Sequence, residues 1–290
     1  MGKPRLAIAL GSGSARGWAH IGVLGALQQA GVVPDIVCGT SIGAFVGAAY
    51  ASGELDPLAA WVRGLTRRDV FGFFDVSLGA GGLIKGEKLL GYTSRLFLDE
   101  TFADLDKPFA CVATDLASGR EVWLREGRIL DAVRASVALP GLLVPQLLDG
   151  RYLVDGGLVN PVPVSLCRAL GADIVIAVDL GMDTIGLRQR RGDAAAQVPA
   201  WRQTMGRWLG REGDGEDVAR PSLADVVSNS IAIMQGRISR SRLAGEPADV
   251  LIAPRLGQLG LLDFHRAHEA ISSGRMAAEH MLPMLRAIIE

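Results

Sequence analysis

Residues 36–51 read IVCGTSIGAFVGAAYA, and the way this stretch breaks decides the fold. Ile36–Cys38 is a short apolar run, entered from a turn at Pro34-Asp35 and read as a buried strand. Ile42–Ala51 is a helix of small residues that ends near Gly53. Only Gly39, Thr40 and Ser41 separate the two, so a strand turns into a helix with almost no loop. A strand feeding straight into a closely packed helix is the repeating unit of a layered α/β fold.

The same pattern recurs on both sides. Upstream, Leu6–Leu10 (LAIAL) is an apolar run ended by Gly11, and Trp18–Ala30 is a helix stopped by Gly31. Downstream, Phe109–Thr114 and Glu121–Leu124 read as strands flanking a turn at Ser118-Gly119. Leu147–Val154 contains Asp149-Gly150, a tight-hairpin signal. Ile174–Val178 (IVIAV) is a continuous apolar run, as expected of a strand covered on both faces. Ser222–Leu243 is helical, Val250–Ala253 a strand, and Phe264–Ile289 a final helix. The alternation predicts an α/β fold, a three-layer α/β/α sandwich with a mostly parallel central sheet. Residues 1–290 are read as one domain with its core motifs within 6–180. The Arg-rich, then acidic and Gly-rich stretch 185–221 is read as a mobile insertion or lid, and 222–290 as a C-terminal helical part of the same domain.

Composition narrows the function. The chain has 290 residues, with 30 Lys plus Arg against 31 Asp plus Glu. That balance excludes a nucleic-acid binder, which needs a basic face to displace counterions. A hydrophobic fraction of 49% is too high for a disordered chain. The three cysteines, Cys38, Cys111 and Cys167, show no CxxC spacing and are read as buried thiols. No histidine cluster has metal-ligand spacing, so neither a metal nor an organic cofactor is expected. The apolar stretch 36–51 is too broken by Gly and Ser to be a membrane span, and no targeting segment stands out, so a cytoplasmic location is expected.

Glycine is in excess, 37 residues, and it clusters at three points. Gly39–Gly43 (GTSIG) fits G-x-S-x-G between a strand and a helix. In that context the serine sits on a strained turn with its hydroxyl exposed, and the flanking glycines allow the close packing. The competing role for Ser41 is a plain helix N-cap. Gly11–Gly17 (GSGSARG) lies between the first strand and its helix, where free backbone amides cradle an anion. It misses the dinucleotide fingerprint because the third glycine position is Arg16, and no Walker lysine follows. An oxyanion hole or a tight turn is left. Val154–Gly157 (VDGG) leaves a strand with Asp155 at its end, placed either as a base or as a turn residue capping its own backbone.

In this order the three motifs resemble the signature of the patatin-like phospholipase family, at motif level from about Leu6 to Leu180 and more weakly from Ser222 onward. The resemblance implies that Ser41 is a nucleophile and Asp155 its partner in a Ser-Asp dyad without histidine. It places the oxyanion hole at Gly13 and Ser14 with Arg16 as a nearby positive charge, and makes Gly11, Gly17, Gly39, Gly43, Gly156 and Gly157 the supporting glycines. This chain departs from many relatives in carrying serine at positions 12 and 14. The alternative is a triad completed by His265 or His268, in the order Ser…Asp…His. Those two sit in the polar helix FHRAHEA, and His20 lies one turn into the helix after the Gly-rich loop.

Other features carry less. Asp173 and Asp179 bracket a strand as caps, and the loop Ala138–Pro145 after Arg134 and Ser136 is either an acyl-pocket wall or core packing. Trp201, Met205, Trp208 and Leu209 share one helical face ringed by Arg202, Arg207 and Arg211, a pattern suited to peripheral membrane contact or to a packed lid. The expected activity is a cofactor-free serine acyl hydrolase of a lipid ester: phospholipid, lysophospholipid or glyceride. A lipid-binding regulator with a vestigial site and a soluble esterase or thioesterase are the other two classes.

Overall fold

The computed structural model describes residues 3–73, 100–182 and 223–289. Eight strands form one sheet: β1 (Leu6–Leu10), β2 (Ile36–Thr40), β3 (Phe109–Asp115), β4 (Glu121–Leu124), β5 (Gln146–Leu148), β6 (Arg151–Asp155), β7 (Ile174–Val178) and β8 (Val250–Ile252). The helices are α1 (Ala19–Gln29), α2 (Ile42–Ala51), α3 (Leu55–Arg63), α4 (Arg67–Phe73), α5 (Ile129–Ser136), α6 (Val164–Ala169), α7 (Leu223–Gly245) and α8 (Ala267–Ile289).

The strand order is β5-β6-β3-β2-β1-β7-β8, with β4 also on β3. The run from β3 to β8 is parallel; β4, β6 and the β5–β6 pair join antiparallel. All five residues of β1, β2 and β7 are buried, which is why they read as unbroken apolar runs rather than as alternation. Alternate residues serve two cores. Ile8, Leu10, Ile176 and Val178 point to the side of α1, α2, α5 and α8, whereas Ala7, Ala9, Val175 and Ala177 point to α6 and the end of α7. The predicted three-layer sandwich is therefore the architecture found.

Several boundaries move for local reasons. The helix expected at Trp18–Ala30 is split into a 3-10 turn, Ser14–Trp18, and α1 from Ala19, because the Gly-rich loop enters it through a left-handed Ser14 with φ of 52°. The second strand runs on to Thr40, which pairs with Val112 of β3. The hairpin turns at Asp149 and Gly150, both with positive φ. Helices α3, α4, α5 and α6 were not foreseen; α6 has only six residues. The insertion or lid expected at 185–221, with Trp201, Met205, Trp208 and Leu209, lies outside the described residues. No helix among the described residues is long and apolar enough to cross a membrane.

The ladder on β3 positions the site. Cys111 and Val112 pair with both β2 and β4, so those strands lie on opposite edges of β3. Ala113 and Thr114 pair with both β4 and β6, so β6 lies on the β2 edge. Strands β2 and β6 thus share one edge of β3 end to end, running toward each other. The last residue of β2, Thr40, sits opposite Val112, and the last of β6, Asp155, sits opposite Ala113.

Candidate active site

Where β2 and β6 meet, Ser41 Oγ donates a 2.5 Å hydrogen bond to Asp155 Oδ2. Ser41 is the turn between β2 and α2, with φ 57° and ψ −126°, a region that side chains rarely adopt. The glycines around it are required by contact. A Cβ on Gly43 would lie 2.1 Å from Leu10 O, and one on Gly39 would lie 2.4 Å from Gly43 O. Ser41 does not cap α2 with its side chain; its carbonyl accepts from Ala44 N–H at 2.8 Å and Phe45 N–H at 3.2 Å.

Asp155 is 1% exposed. Its Oδ1 accepts from Gly157 N–H at 2.7 Å, so one carboxylate oxygen is fixed by backbone and the other faces Ser41. A Cβ on Gly156 would strike Val112 O at 2.2 Å, so this turn too sits directly on β3. Burial pushes the Asp155 carboxyl up to about 6, against the lowering effect of its bonds to Ser41 and Gly157. Thr114 Oγ1 donates to Asp155 O at 2.8 Å and Asp155 N–H donates to Ala138 O at 3.0 Å, holding the main chain at the same point.

Sequence reasoning missed one participant. Ser136, fully buried at the end of α5, accepts from Ser41 N–H at 2.9 Å and donates to Val112 O at 2.6 Å. Nothing in its neighbourhood in sequence marks it, because its partners lie 95 and 24 residues away.

The Gly-rich loop borders the same site. Ser14 lines the pocket of Ser41, and its left-handed backbone is anchored by Ser14 Oγ donating to Leu261 O at 2.6 Å. Among the described residues no acceptor meets Gly13 N–H or Ser14 N–H. Ser12 Oγ donates to Gln235 Oε1 at 3.3 Å. Gly11 and Gly17 allow close contacts: a Cβ on Gly11 would lie 2.7 Å from Val178 O, and one on Gly17 would lie 2.1 Å from Ile42. Arg16 is placed elsewhere. Its buried side chain donates from Nε to Leu259 O at 3.0 Å and lines a second cleft, with Asp179 and Ser239, not the pocket of Ser41.

That pocket is open to solvent and walled by Ile42, Phe45, Val133, Val137, Leu139 and Phe264 together with the remaining leucines of the 138–145 loop. Trp18 backs it, with ring centroids 6.2 Å from Phe45 and 5.8 Å from Phe264. The loop Ala138–Pro145 is therefore a pocket wall. Asp179 caps the exit of β7, its Oδ1 accepting from Gly181 N–H at 2.7 Å, and its Oδ2 also accepts from Ser239 Oγ at 2.8 Å, tying that exit to α7.

None of the four histidines contacts the Ser41–Asp155 pair. His20 is buried against Gly11 O, His265 accepts from Arg67 Nε at 3.3 Å, and His268 and His280 are exposed. The cysteines are buried and free, and burial raises the thiols of Cys38 and Cys111. Among the described residues no group of three or more His, Cys, Asp or Glu gathers where it could hold a metal ion.

Several known proteins are similar to this chain. Residues 8–168 match the family described as patatin-like phospholipase. An NTE family protein of Mycobacterium tuberculosis, itself uncharacterised, is 35% identical over 96% of this chain and 91% of its own length. Lysophospholipase NTE1 of Chaetomium globosum is 30% identical over 96% of this chain, which spans only 18% of that much longer protein. The crystal structure of VipD from Legionella pneumophila superposes with a TM-score of 0.51 at 13% identity, covering 98% of this chain and 67% of that one. The chain belongs to the patatin-like phospholipase family and is, by that membership, a lipid carboxylic-ester hydrolase.

Proposed function

We propose that the chain hydrolyses a lipid ester through a Ser41–Asp155 dyad, with the Gly-rich loop as its oxyanion hole. One observation carries this: a serine hydroxyl and a buried carboxylate in a 2.5 Å hydrogen bond at an apolar pocket, with no histidine in reach. Ser41 Oγ attacks the ester carbonyl carbon while its proton passes to Asp155 Oδ2. A carboxyl raised to about 6 takes that proton more readily than an ordinary aspartate, yet stays largely ionised at neutral pH. The carbonyl oxygen becomes an oxyanion held by Gly13 N–H and Ser14 N–H. Collapse breaks the ester C–O bond, and Asp155 returns its proton to the leaving alcohol. A water then gives a proton to Asp155 and attacks the acyl-serine; collapse breaks the bond from the acyl carbon to Ser41 Oγ, which takes the proton back from Asp155 as the fatty acid leaves.

The acyl chain occupies the pocket, whose lining is almost wholly apolar. The name of the fungal relative favours a lysophospholipid over a two-chain lipid. Peripheral contact through Trp201 and Trp208 belongs to the same proposal; unchanged liposome co-sedimentation after deletion of 199–211 would count against it. The deciding experiment is hydrolysis of lysophosphatidylcholine with fluorophosphonate labelling. Wild type turns over and is labelled, Ser41→Ala does neither, and Asp155→Asn is inactive. Turnover by Ser41→Ala would overturn the proposal.

A further inference from the structure

His20 is fully buried in the first turn of α1, directly behind the Gly-rich loop. Its Nε2 lies 2.8 Å from Gly11 O. A carbonyl oxygen only accepts, so Nε2 carries the proton and Nδ1 keeps a lone pair. That Nδ1 is buried with no hydrogen-bond partner. A residue kept there for packing alone would be apolar, because an unsatisfied buried nitrogen costs about 1–3 kcal/mol. The bond to Gly11 is what offsets that cost.

Gly11 O is a critical atom. It lies against the first turn of α2, where a Cβ on Gly43 would come within 2.7 Å of it. The other end of the same peptide is also held, since Ser12 N–H donates to Pro161 O at 2.8 Å. With Gly11 N–H bonded to Val178 O at 3.0 Å, the chain is fixed on three sides immediately before Gly13 and Ser14. Neither of those two amides meets an acceptor among the described residues; Ser14 lines the pocket of Ser41, while Gly13 lines the second cleft.

We propose that His20 is a positioning residue of the oxyanion hole: its Nε2–H clamps the Gly11–Ser12 peptide and so aims the Gly13 and Ser14 amides at the oxygen that becomes negative. The inference rests on the Ser41–Asp155 mechanism and assigns His20 no proton transfer. Burial supports this, because it lowers the imidazole to about 4 and keeps it neutral at working pH.

The test compares His20→Leu, His20→Gln and His20→Asn on lysophosphatidylcholine. Glutamine places an amide N–H where Nε2 stood, asparagine does not. His20→Leu and His20→Asn are expected to lower kcat about 10- to 100-fold, the effect of a misplaced catalytic group, with KM nearly unchanged. His20→Gln is expected to recover most of the loss, and the acid limb of kcat/KM stays where it is in wild type. Should the leucine variant fail to fold, the glutamine–asparagine difference still decides. Equal kcat in His20→Gln and His20→Asn, or full kcat in a folded His20→Leu, overturns the positioning role. A Ser41→Ala control separates the failures: if it is dead while folded His20→Leu is fully active, only the His20 role falls, and if it is active, both fall.

Discussion

Thr40 and Asp155 occupy consecutive rungs on one edge of β3, Thr40 opposite Val112 and Asp155 opposite Ala113. Ser41 follows Thr40 directly, so its distance to Asp155 is set by strand pairing and not by a flexible loop. A carboxylate moved by one methylene misses that geometry. Asp155→Glu, which keeps the charge, is expected to lose about 10²-fold or more in kcat, read by steady-state hydrolysis of a lysophospholipid. Activity within a fewfold of wild type would show that the rung spacing does not govern the chemistry.

The raised Asp155 carboxyl predicts an acid limb. The base must be ionised, so kcat/KM is expected to rise with pH through a midpoint of about 6 and to level off above it. The same shift acts on stability with the opposite sense. Burial favours the protonated form, so the stability Asp155 contributes is fully present below about 4 and is lost as pH rises through about 6. Asp155→Asn removes a buried charge and is expected to be more stable than wild type by roughly 1–3 kcal/mol at neutral pH, a gap that closes by pH 4. Urea unfolding of both proteins across pH 4–8 measures it.

Backbone strain at Ser41 separates two inactive variants. Ser41→Ala keeps a Cβ at φ 57°, ψ −126°, whereas Ser41→Gly relieves it. The glycine variant is expected to be more stable than the alanine variant by about 1 kcal/mol, seen as a higher Tm.

Ser136 links the Ser41 amide to Val112 O. Ser136→Ala leaves the buried Ser41 N–H without its acceptor, at a cost of about 1–3 kcal/mol. Turnover is expected to fall with stability, and chemical denaturation together with kcat checks both.

The pocket wall sets chain length. Val137→Phe narrows the cavity, and esters of long fatty acids are expected to lose about 10-fold or more in kcat/KM while short-chain esters keep theirs. A chain-length series of p-nitrophenyl esters reads the shift.

Most of the sheet was legible because β1, β2, β3 and β7 are buried along their length, and burial on both faces writes an unbroken apolar run. The hairpin was legible from Asp149-Gly150, whose positive φ values few other pairs tolerate. Ser41 and Asp155 stood out because close backbone approach demanded glycines beside them. What escaped was long-range. Ser136 looks like an ordinary helix serine until β3 brings Val112 and Ser41 to it. Arg16, expected near the reacting centre, turns toward Leu259 in the C-terminal region, a partner 243 residues away. The short helices α3 to α6 run for only six to nine residues, too few turns for their apolar spacing to stand out along the chain, and are held by the sheet and helices they pack on.

The end-to-end meeting of β2 and β6 on β3 also limits how the enzyme can be altered. A strand offset by one residue turns every side chain to the opposite face, so Asp155 has no graded range of displacement. Insertions or deletions within β6 should act as on–off switches for activity. The 138–145 loop reaches the same cavity without belonging to the ladder, so changes of substrate preference are best sought there, where geometry can drift while the reacting pair stays in register.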